Sequence, residues 1–187
     1  GGITYASSDE SVLELNGTQQ TQHTLENGLV RYWNFDNDTN ASTTVTALIG
    51  GLNGTKGNQV TVMSGKFGNA LQFQGSSSAE SKVTFGTASR DNFDGVFSAS
   101  LWVKRTSNTG TQRIISNKSA SSNAGFELYA SNDNNKRLTT KGTSTSRNRD
   151  VVNAWNAQSW HHIVLAFNSK ALDTSQRWRI YSDGVQK

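Results

Sequence analysis

Residues 160–167 read WHHIVLAF, and this stretch decides the fold class. Successive side chains of a β-strand point to opposite faces of the sheet, so Ile163 and Leu165 share one face. Val164 and Ala166 share the other. Because both faces are largely apolar, the stretch predicts a strand that is buried within a two-layer sandwich.

Short stretches of the same kind recur along the chain. They are rich in β-branched and aromatic residues, and turns containing Gly, Asn, Asp or Ser separate them: 29–35, 60–63, 70–73, 82–85, 97–104, 113–116, 125–130, 137–140 and 177–182. No segment sustains a helical periodicity over about 11 residues. Many short strands at close spacing predict an all-β, antiparallel two-sheet sandwich or jelly roll.

The composition agrees with one folded domain. The chain has 187 residues, of which 33% are hydrophobic and 17% charged, and its 5 Trp, 8 Phe and 4 Tyr supply large buried areas. It contains no cysteine, which excludes disulfides and thiolate metal sites. No apolar run approaches the roughly 18–20 residues of a membrane-spanning helix, so we expect no membrane span.

Four segments, in order along the chain, carry a resemblance to a known family. They are GLVRYWNFDND (28–38), GKFGNALQFQG (65–75), FSASLWVK (97–104), and WHHIV (160–164) followed by RIYSDG (179–184). Together they resemble the laminin G-like jelly rolls of the concanavalin A-like lectin and glucanase superfamily. The resemblance implies a jelly-roll domain over residues 28–187. Residues 1–27 are interpreted as an N-terminal arm or linker.

The sequence departs from the family pattern at two places. Gln74 stands where the family usually has Asp, so the resemblance implies no cation ligand at that position. Family members usually continue for several strands past the turn at Asp183 and Gly184, whereas this sequence ends at Lys187. Either the sequence is a piece of a longer chain, or the closing strands come from elsewhere. An open sheet edge or the N-terminal arm would then contact other protein chains.

An acidic loop follows the first of the four segments. DNDTN (36–40) places oxygen side chains at alternate positions, as the start of a calcium loop does. The loop is not an EF-hand, since Ala41 stands where glycine is needed. Laminin G-like domains often hold a structural calcium ion, so the resemblance implies Ca²⁺ bound by Asp36 and Asp38. Asx-rich turns also form simply to satisfy backbone groups, and that alternative stays open.

We expect no catalysis. Glucanases of the superfamily carry two glutamates on one strand, and a retaining pair needs carboxyl groups roughly 5–5.5 Å apart. In this sequence Glu127 stands alone, with no second acid before Asp133. The remaining acids are scattered, mostly in turn contexts, and no G-x-S-x-G motif is present.

The histidine pair and most tryptophans are predicted to pack rather than to bind. Because neighbouring strand residues point to opposite faces, His161 and His162 cannot hold one metal ion side by side. We expect them to pack beside Trp160. Trp33, Trp102 and Trp160 match core positions of the family, so the resemblance implies that they are core residues.

Two aromatic residues are candidates for a sugar platform, which needs an exposed ring with polar neighbours. Tyr129 ends a predicted strand beside polar residues, and Trp155 lies in a polar context that is typical of a loop. A basic stretch in residues 132–149 is either a solvated loop or a contact for an acidic polysaccharide. Its candidate binding residues are Lys141, Arg147 and Arg149.

These features predict a non-catalytic carbohydrate-binding or adhesion module that favours acidic glycans and acts outside a cell, on a cell surface or on a virion. The net charge of +4 is mildly basic. No nucleic-acid-binding motif accompanies the basic stretch, so nucleic acid is not an expected partner. The alternative function is a structural or decoration module of a virus or cell-surface assembly, which acts through protein–protein contacts.

Overall fold

A computed structural model describes residues 28–75, 81–86, 95–106, 110–117, 126–130, 138–141, 149–151, 157–173 and 176–187, with the backbone alone for 138–141 and 149–150. These residues contain thirteen β-strands and no α-helix, which confirms the all-β prediction. In chain order the strands are β1 Thr44–Val45, β2 Gly54–Lys56, β3 Val60–Ser64, β4 Asn69–Phe73, β5 Val83–Thr84, β6 Val96–Val103, β7 Gln112–Ser116, β8 Glu127–Ala130, β9 Leu138–Lys141, β10 Arg149–Val151, β11 His161–Asn168, β12 Trp178–Ser182 and β13 Val185–Gln186.

The chain divides into two compact units, residues 1–86 and residues 87–187. The prediction of one domain over residues 28–187, preceded by an arm, stays a prediction. The arm at residues 1–27 lies outside the described part of the chain.

The first unit holds small antiparallel sheets. Strands β1, β2 and β5 pair in the order β1-β2-β5, and β3 and β4 form a hairpin. Val45 is fully buried. The indole Nε1 of Trp33 donates to the carbonyl of Leu52 at 2.9 Å, and the Trp33 ring lies 4.7 Å from that of Phe85. Trp33 is only half-buried and, unlike Val45, does not belong to the buried hydrophobic residues, so the interpretation of Trp33 as a core residue is wrong.

The second unit is a sandwich of two four-stranded antiparallel sheets. Sheet A has the order β10-β9-β8-β7, and sheet B has the order β13-β12-β11-β6. Strand β11 pairs along its whole length with β6 and also with β12. The prediction that residues 160–167 form a strand inside the sandwich is therefore confirmed, because β11 has a neighbour on both sides.

Both sheets contribute to a single core in this unit. Its buried members come from sheet A, from the residue that precedes β8, and from sheet B: Leu128, Ala130 and Val151, then Phe126, then Ile163, Leu165, Trp178 and Ile180. The Phe97 ring of sheet B lies 5.0 Å from that of Phe126. Full burial of a Leu or Ile side chain contributes about 1.5–3 kcal/mol, so this shared core is the main source of stability for the sandwich.

One predicted strand is absent. Residues 29–35 form only an isolated antiparallel bridge, between Tyr32 and Ile49. The chain turns at Phe35, whose φ of 68° lies in the left-handed region. That conformation ends the segment at its last residue. The exposure of Leu29 and Val30 shows that the apolar residues before it are not buried as those of a core strand are.

Candidate functional site

The outer face of β7 and β8, in sheet A, carries a group of polar and aromatic side chains. Leu128 and Ala130 face the core and are fully buried. Because side chains alternate along a strand, Glu127 and Tyr129 lie on the opposite face. Strand β7 pairs antiparallel with β8 and places Arg113 directly opposite Tyr129.

A cleft of about 220 Å³ lies on this face, and the described residues that line it are Thr111, Arg113, Glu127 and Tyr129. Arg113 donates from Nε to Glu127 Oε1 and forms an ion pair with it. The two side chains differ sharply in exposure, since 72% of Arg113 is exposed and only 7% of Glu127. A β-bulge follows Arg113 in β7, and bulges of this kind change the direction of a neighbouring side chain.

The five predicted ligand-binding residues have different outcomes. Tyr129 lines the cleft. Lys141 lies in β9 opposite Glu127, and Arg149 lies in β10, so the backbone brings both into the sheet that holds Tyr129. The interpretation of Lys141 and Arg149 as loop residues is wrong, because β9 and β10 pair with each other as antiparallel strands. Arg147 and Trp155 lie outside the described residues.

The cleft adds residues that the sequence did not single out. Arg113 and Thr111 belong to it, and Glu127 enters it as an ion-pair partner rather than as an isolated acid. The available signal was the alternation of β7, in which Arg113 occupies an outward position between partly buried neighbours.

Asp36, one of the two predicted calcium ligands, connects the acidic loop to the β3–β4 hairpin. Its Oδ1 accepts the backbone N–H of Asn69 at 2.7 Å, and its Oδ2 accepts Asn34 Nδ2 at 2.8 Å. A Cβ atom at Gly68 would collide with Asp36 Oδ1, and Gly68 also has a φ of +52°. The glycine of the hairpin is therefore required both by its turn and by the approach of this carboxylate.

Asp38, the other predicted ligand, is buried with 5% of its surface exposed. Its Oδ1 accepts the backbone N–H of Thr46 at 2.9 Å, while its buried Oδ2 has no hydrogen-bond partner. An unsatisfied buried carboxylate oxygen is costly and fits the role of one ligand to a hard cation. Within the described residues, however, no group of three or more His, Cys, Asp or Glu could hold a metal ion.

His161 and His162 are engaged separately, on opposite faces of β11. His161 Nδ1 lies 2.6 Å from Asp183 Oδ2. His162 Nε2 lies 2.8 Å from Ser100 Oγ, and the His162 ring lies 5.3 Å from that of Trp102. The expected packing of His162 beside Trp160 is therefore corrected, because its ring neighbour is the cross-strand Trp102.

Asp183 connects two of the segments that carried the family resemblance. It accepts hydrogen bonds from the His161 ring and, at 2.9 Å, from the backbone N–H of His162. Burial acts to raise the pKa of Asp183, but the hydrogen bonds and the charges of the two histidines outweigh burial and hold this pKa below its ordinary value. Asp183 and Gly184 have φ values of 52° and 80° and form the two-residue turn between β12 and β13, as predicted.

Trp102 and Trp160 are not members of the core of the second unit. Trp102 points away from Leu101 and Val103, which pack on the core, and is half-buried on the outer face of sheet B. Lys104 Nζ lies 5.1 Å from the centre of the Trp160 ring, in a cation–π contact. The interpretation of these two tryptophans as core residues is wrong. Trp102 takes an outward position in β6, and Trp160, which precedes β11, is half-buried against Lys104.

Comparison with known families identifies one match. The Laminin_G_3 family, of the concanavalin A-like lectin/glucanases superfamily, matches residues 76–187, which is more than half of the chain. The match includes the two later segments of the resemblance and every strand of sheets A and B. No curated protein and no solved structure matches the chain.

Proposed function

Because the chain belongs to this laminin G-like family of the concanavalin A-like lectin/glucanase superfamily, we propose that it is a non-catalytic carbohydrate-binding or adhesion module. The family suggests carbohydrate binding or adhesion in general terms. The proposed ligand is a glycan, with a preference for acidic glycans, and the proposed place of action is extracellular, on a cell or virion surface.

The cleft of sheet A is the observation that supports this function. A sugar-binding site combines an aromatic ring, which packs against the C–H face of a sugar, with polar groups that orient its hydroxyls. Tyr129 supplies the ring, and Thr111, Arg113 and Glu127 supply hydrogen-bonding groups around it. Arg113 lines this cleft, and the register places Lys141 opposite Glu127 on the same face of the sheet, which favours a negatively charged glycan. Arg149 pairs with Thr140, which pairs with Leu128, so the register places Arg149 on the core face instead.

The proposal of a binding module rather than an enzyme rests on the chemistry of this cleft. A glycoside hydrolase uses two carboxyl groups that flank the bond to be cleaved. Glu127 is the one carboxyl group among the described residues that line the cleft, and its charge is paired with Arg113.

We propose further that the acidic loop of the first unit binds a structural Ca²⁺ ion through Asp38, with Asp36 as a second ligand. The unpartnered Oδ2 of Asp38 supports this proposal. Calcium takes about six to eight oxygen ligands, so backbone carbonyls and water would have to complete the set.

Within the described residues, no helix is long and apolar enough to cross a membrane.

A glycan array, read first with Ca²⁺ and then with a chelator, tests the proposed function. We expect saturable binding that free oligosaccharide competes away, with acidic glycans preferred. Tyr129→Ala should weaken it about tenfold, which corresponds to the loss of one aromatic contact. The matched control is Tyr181→Ala, a half-buried tyrosine of sheet B. An array without binding, or equal losses in the two variants, would contradict the proposal.

Thermal melts with Ca²⁺ and with a chelator test whether the acidic loop binds Ca²⁺. If Ca²⁺ binds the folded protein, chelation should lower the melting temperature of the wild-type chain by ligand linkage. The Asp38→Asn variant keeps an acceptor for Thr46 but loses the carboxylate, so its melting temperature should not respond to the chelator. A wild-type melting temperature that is equal in both conditions would refute calcium binding.

The second candidate function is a structural or decoration module of a virus or cell-surface assembly. Exposed valines on two strands of sheet B favour it, since Val96 is 67% exposed in β6 and Val185 is 58% exposed in β13. Within the described residues these are the outer strands of that sheet, and strand edges are suited to pairing with other chains. Light scattering that gives a stable oligomer, together with an array without glycan binding, would favour this function.

A further inference from the structure

The ion pair in the cleft of sheet A is asymmetric. Glu127 is nearly buried, whereas the side chain of Arg113 is mostly exposed. A buried carboxylate needs a partner, because an unpaired charge in that position is costly. The exposed guanidinium has no such need, since water would solvate it. The pair therefore forms because Glu127 needs a partner, and its effect on Arg113 is to fix the position of the guanidinium.

The geometry of the pair leaves one side of the guanidinium open to a ligand. Glu127 Oε1 accepts from Nε, and among the residues that the structure describes Glu127 is the hydrogen-bond partner of Arg113. The N–H groups on Nη1 and Nη2 form the other edge of the planar group. Two N–H groups on such an edge can donate parallel hydrogen bonds to two oxygens of one carboxylate or sulfate group. The ammonium group of a lysine lacks this planar geometry.

The register places this edge beside the aromatic ring of the cleft. Arg113 lies opposite Tyr129 in the ladder, yet its Nε reaches diagonally to Glu127, two residues away along β8. The bulge after Arg113 interrupts the regular pairing at this point. At about 220 Å³ the cleft is smaller than the roughly 300–1,000 Å³ of sites for drug-sized ligands, so it suits a single sugar unit.

We propose that Arg113, positioned by Glu127, binds the anionic group of an acidic sugar, a carboxylate or a sulfate, while the sugar ring lies against Tyr129. This inference rests on the proposed carbohydrate-binding function and adds the residue that selects for charge. Glu127 is a positioning residue, because it acts on the ligand through the guanidinium. Thr111, which also lines the cleft, offers a hydroxyl to the same sugar unit.

Calorimetric titration with three probes tests the proposal: a galacturonic acid oligosaccharide, the same oligosaccharide with its carboxylates methyl-esterified, and a sulfated galactan oligosaccharide. The first two share one sugar backbone and differ in the charge of the carboxyl group, which carries a methyl group in the ester. The third carries sulfate in place of carboxylate. We expect the wild-type chain to bind at least one anionic probe more tightly than the neutral ester. Which anionic probe binds decides between a uronic acid and a sulfated sugar.

Arg113→Gln should lower the affinity for the anionic probe by about tenfold or more, because charge-assisted hydrogen bonds are lost. Its affinity for the neutral ester should equal that of the wild type. Arg113→Lys keeps the charge but not the fork, so it should recover only part of the loss. Arg179→Gln removes an exposed arginine of sheet B and should change neither probe. Arg113→Gln leaves the nearly buried Glu127 carboxylate without its charged partner, so a thermal melt must first show that this variant is folded at the titration temperature. Arg113→Lys keeps the charge and is the second variant if Arg113→Gln does not fold.

The positioning role of Glu127 is tested by the ratio of the affinities for the anionic and neutral probes. Glu127→Ala releases the guanidinium and should bring this ratio close to one. Glu127→Gln keeps an acceptor for Nε and should preserve most of the preference. A change in stability alone would alter both affinities together and leave the ratio intact.

The outcomes separate this inference from the proposed function. Binding that depends on Tyr129 but is equal in wild type and Arg113→Gln overturns the role of Arg113 and leaves the binding function standing. Absence of binding to all three probes contradicts both. A loss that Arg179→Gln reproduces shows that net charge, not the cleft, selects the ligand, and also overturns the inference.

Discussion

The two sheets of the second unit share one core but have different outer faces. On sheet B the side chains of His162 and Ser100 contact each other across β11 and β6. On sheet A a buried carboxylate holds an exposed guanidinium beside a tyrosine, in a cleft. Both contacts connect neighbouring strands, but the contact on sheet A also presents the hydrogen-bond donors of an exposed guanidinium to solvent.

Two contacts of charged side chains in the described part of this unit show the same contrast. His161 and Asp183 join the start of β11 to the β12–β13 turn, and the Asp183 carboxylate also accepts a backbone N–H. Both of its oxygens are therefore used inside the fold. In the Arg113–Glu127 pair it is the exposed partner that retains hydrogen-bonding capacity. A charged side chain indicates a binding site only when its partner leaves part of it available.

The largest expected effect on stability lies in the core, where substitutions in the two sheets should lower the free energy of unfolding by similar amounts. Leu128 of sheet A and Leu165 of sheet B are both fully buried. Replacing either by alanine should lower the free energy of unfolding by about 2–5 kcal/mol, measured by denaturant titration. Leu172→Ala is the control, because Leu172 is fully exposed and its loss should cost within about 0.5 kcal/mol. If the substitution at Leu128 or at Leu165 cost no more than the Leu172→Ala control, the sheet that contains that leucine would not pack on the shared core.

A smaller effect is expected at Asp183, and it should depend on pH. Because the pKa of Asp183 is lowered in the folded state, its contribution to stability is present above the unfolded pKa of about 3.9 and is lost as pH falls through the folded pKa. Asp183→Asn should therefore lower the free energy of unfolding at pH 7, by about 1 kcal/mol or less for this half-exposed carboxylate.

Thermal melts at pH 7 and pH 3 measure this dependence. Asn tolerates the left-handed backbone of the turn nearly as well as Asp, so the substitution changes the charge without adding strain. We expect the difference between wild type and variant to narrow at pH 3. A deficit of the same size at both pH values would mean that the ionised carboxylate is not what stabilises the turn.

The strands that the sequence predicted best are those that the core buries. Residues 160–167 alternate between two apolar faces, and β11 follows that pattern because Ile163 and Leu165 enter the core. Strand β10 was missed, since most of its short sequence is charged and gives no apolar alternation. It exists because β9 pairs with it. Residues 29–35 had the right composition for a strand, but Leu29 and Val30 are exposed, and among the described residues the segment forms a single bridge, between Tyr32 and Ile49.

The candidate site was predictable only in part. Tyr129 was singled out because an aromatic residue at the end of a strand beside polar residues is visible locally. The pairing of Arg113 with Glu127 depends on the register of two strands and on a bulge between Arg113 and Ile115, which no local pattern specifies. The burial of Asp38 likewise depends on contacts with distant residues, so the sequence indicated an oxygen ligand but not its unpartnered atom.

Backbone amide chemical-shift mapping with the tightest oligosaccharide from the array tests the central claim most directly, because it reports on both sheets in one titration. We predict that the largest shifts fall on Thr111, Arg113, Glu127 and Tyr129, in the cleft of sheet A. Shifts concentrated instead on the outer face of sheet B, around Trp102 and His162, would contradict the claim that sheet A carries the binding site.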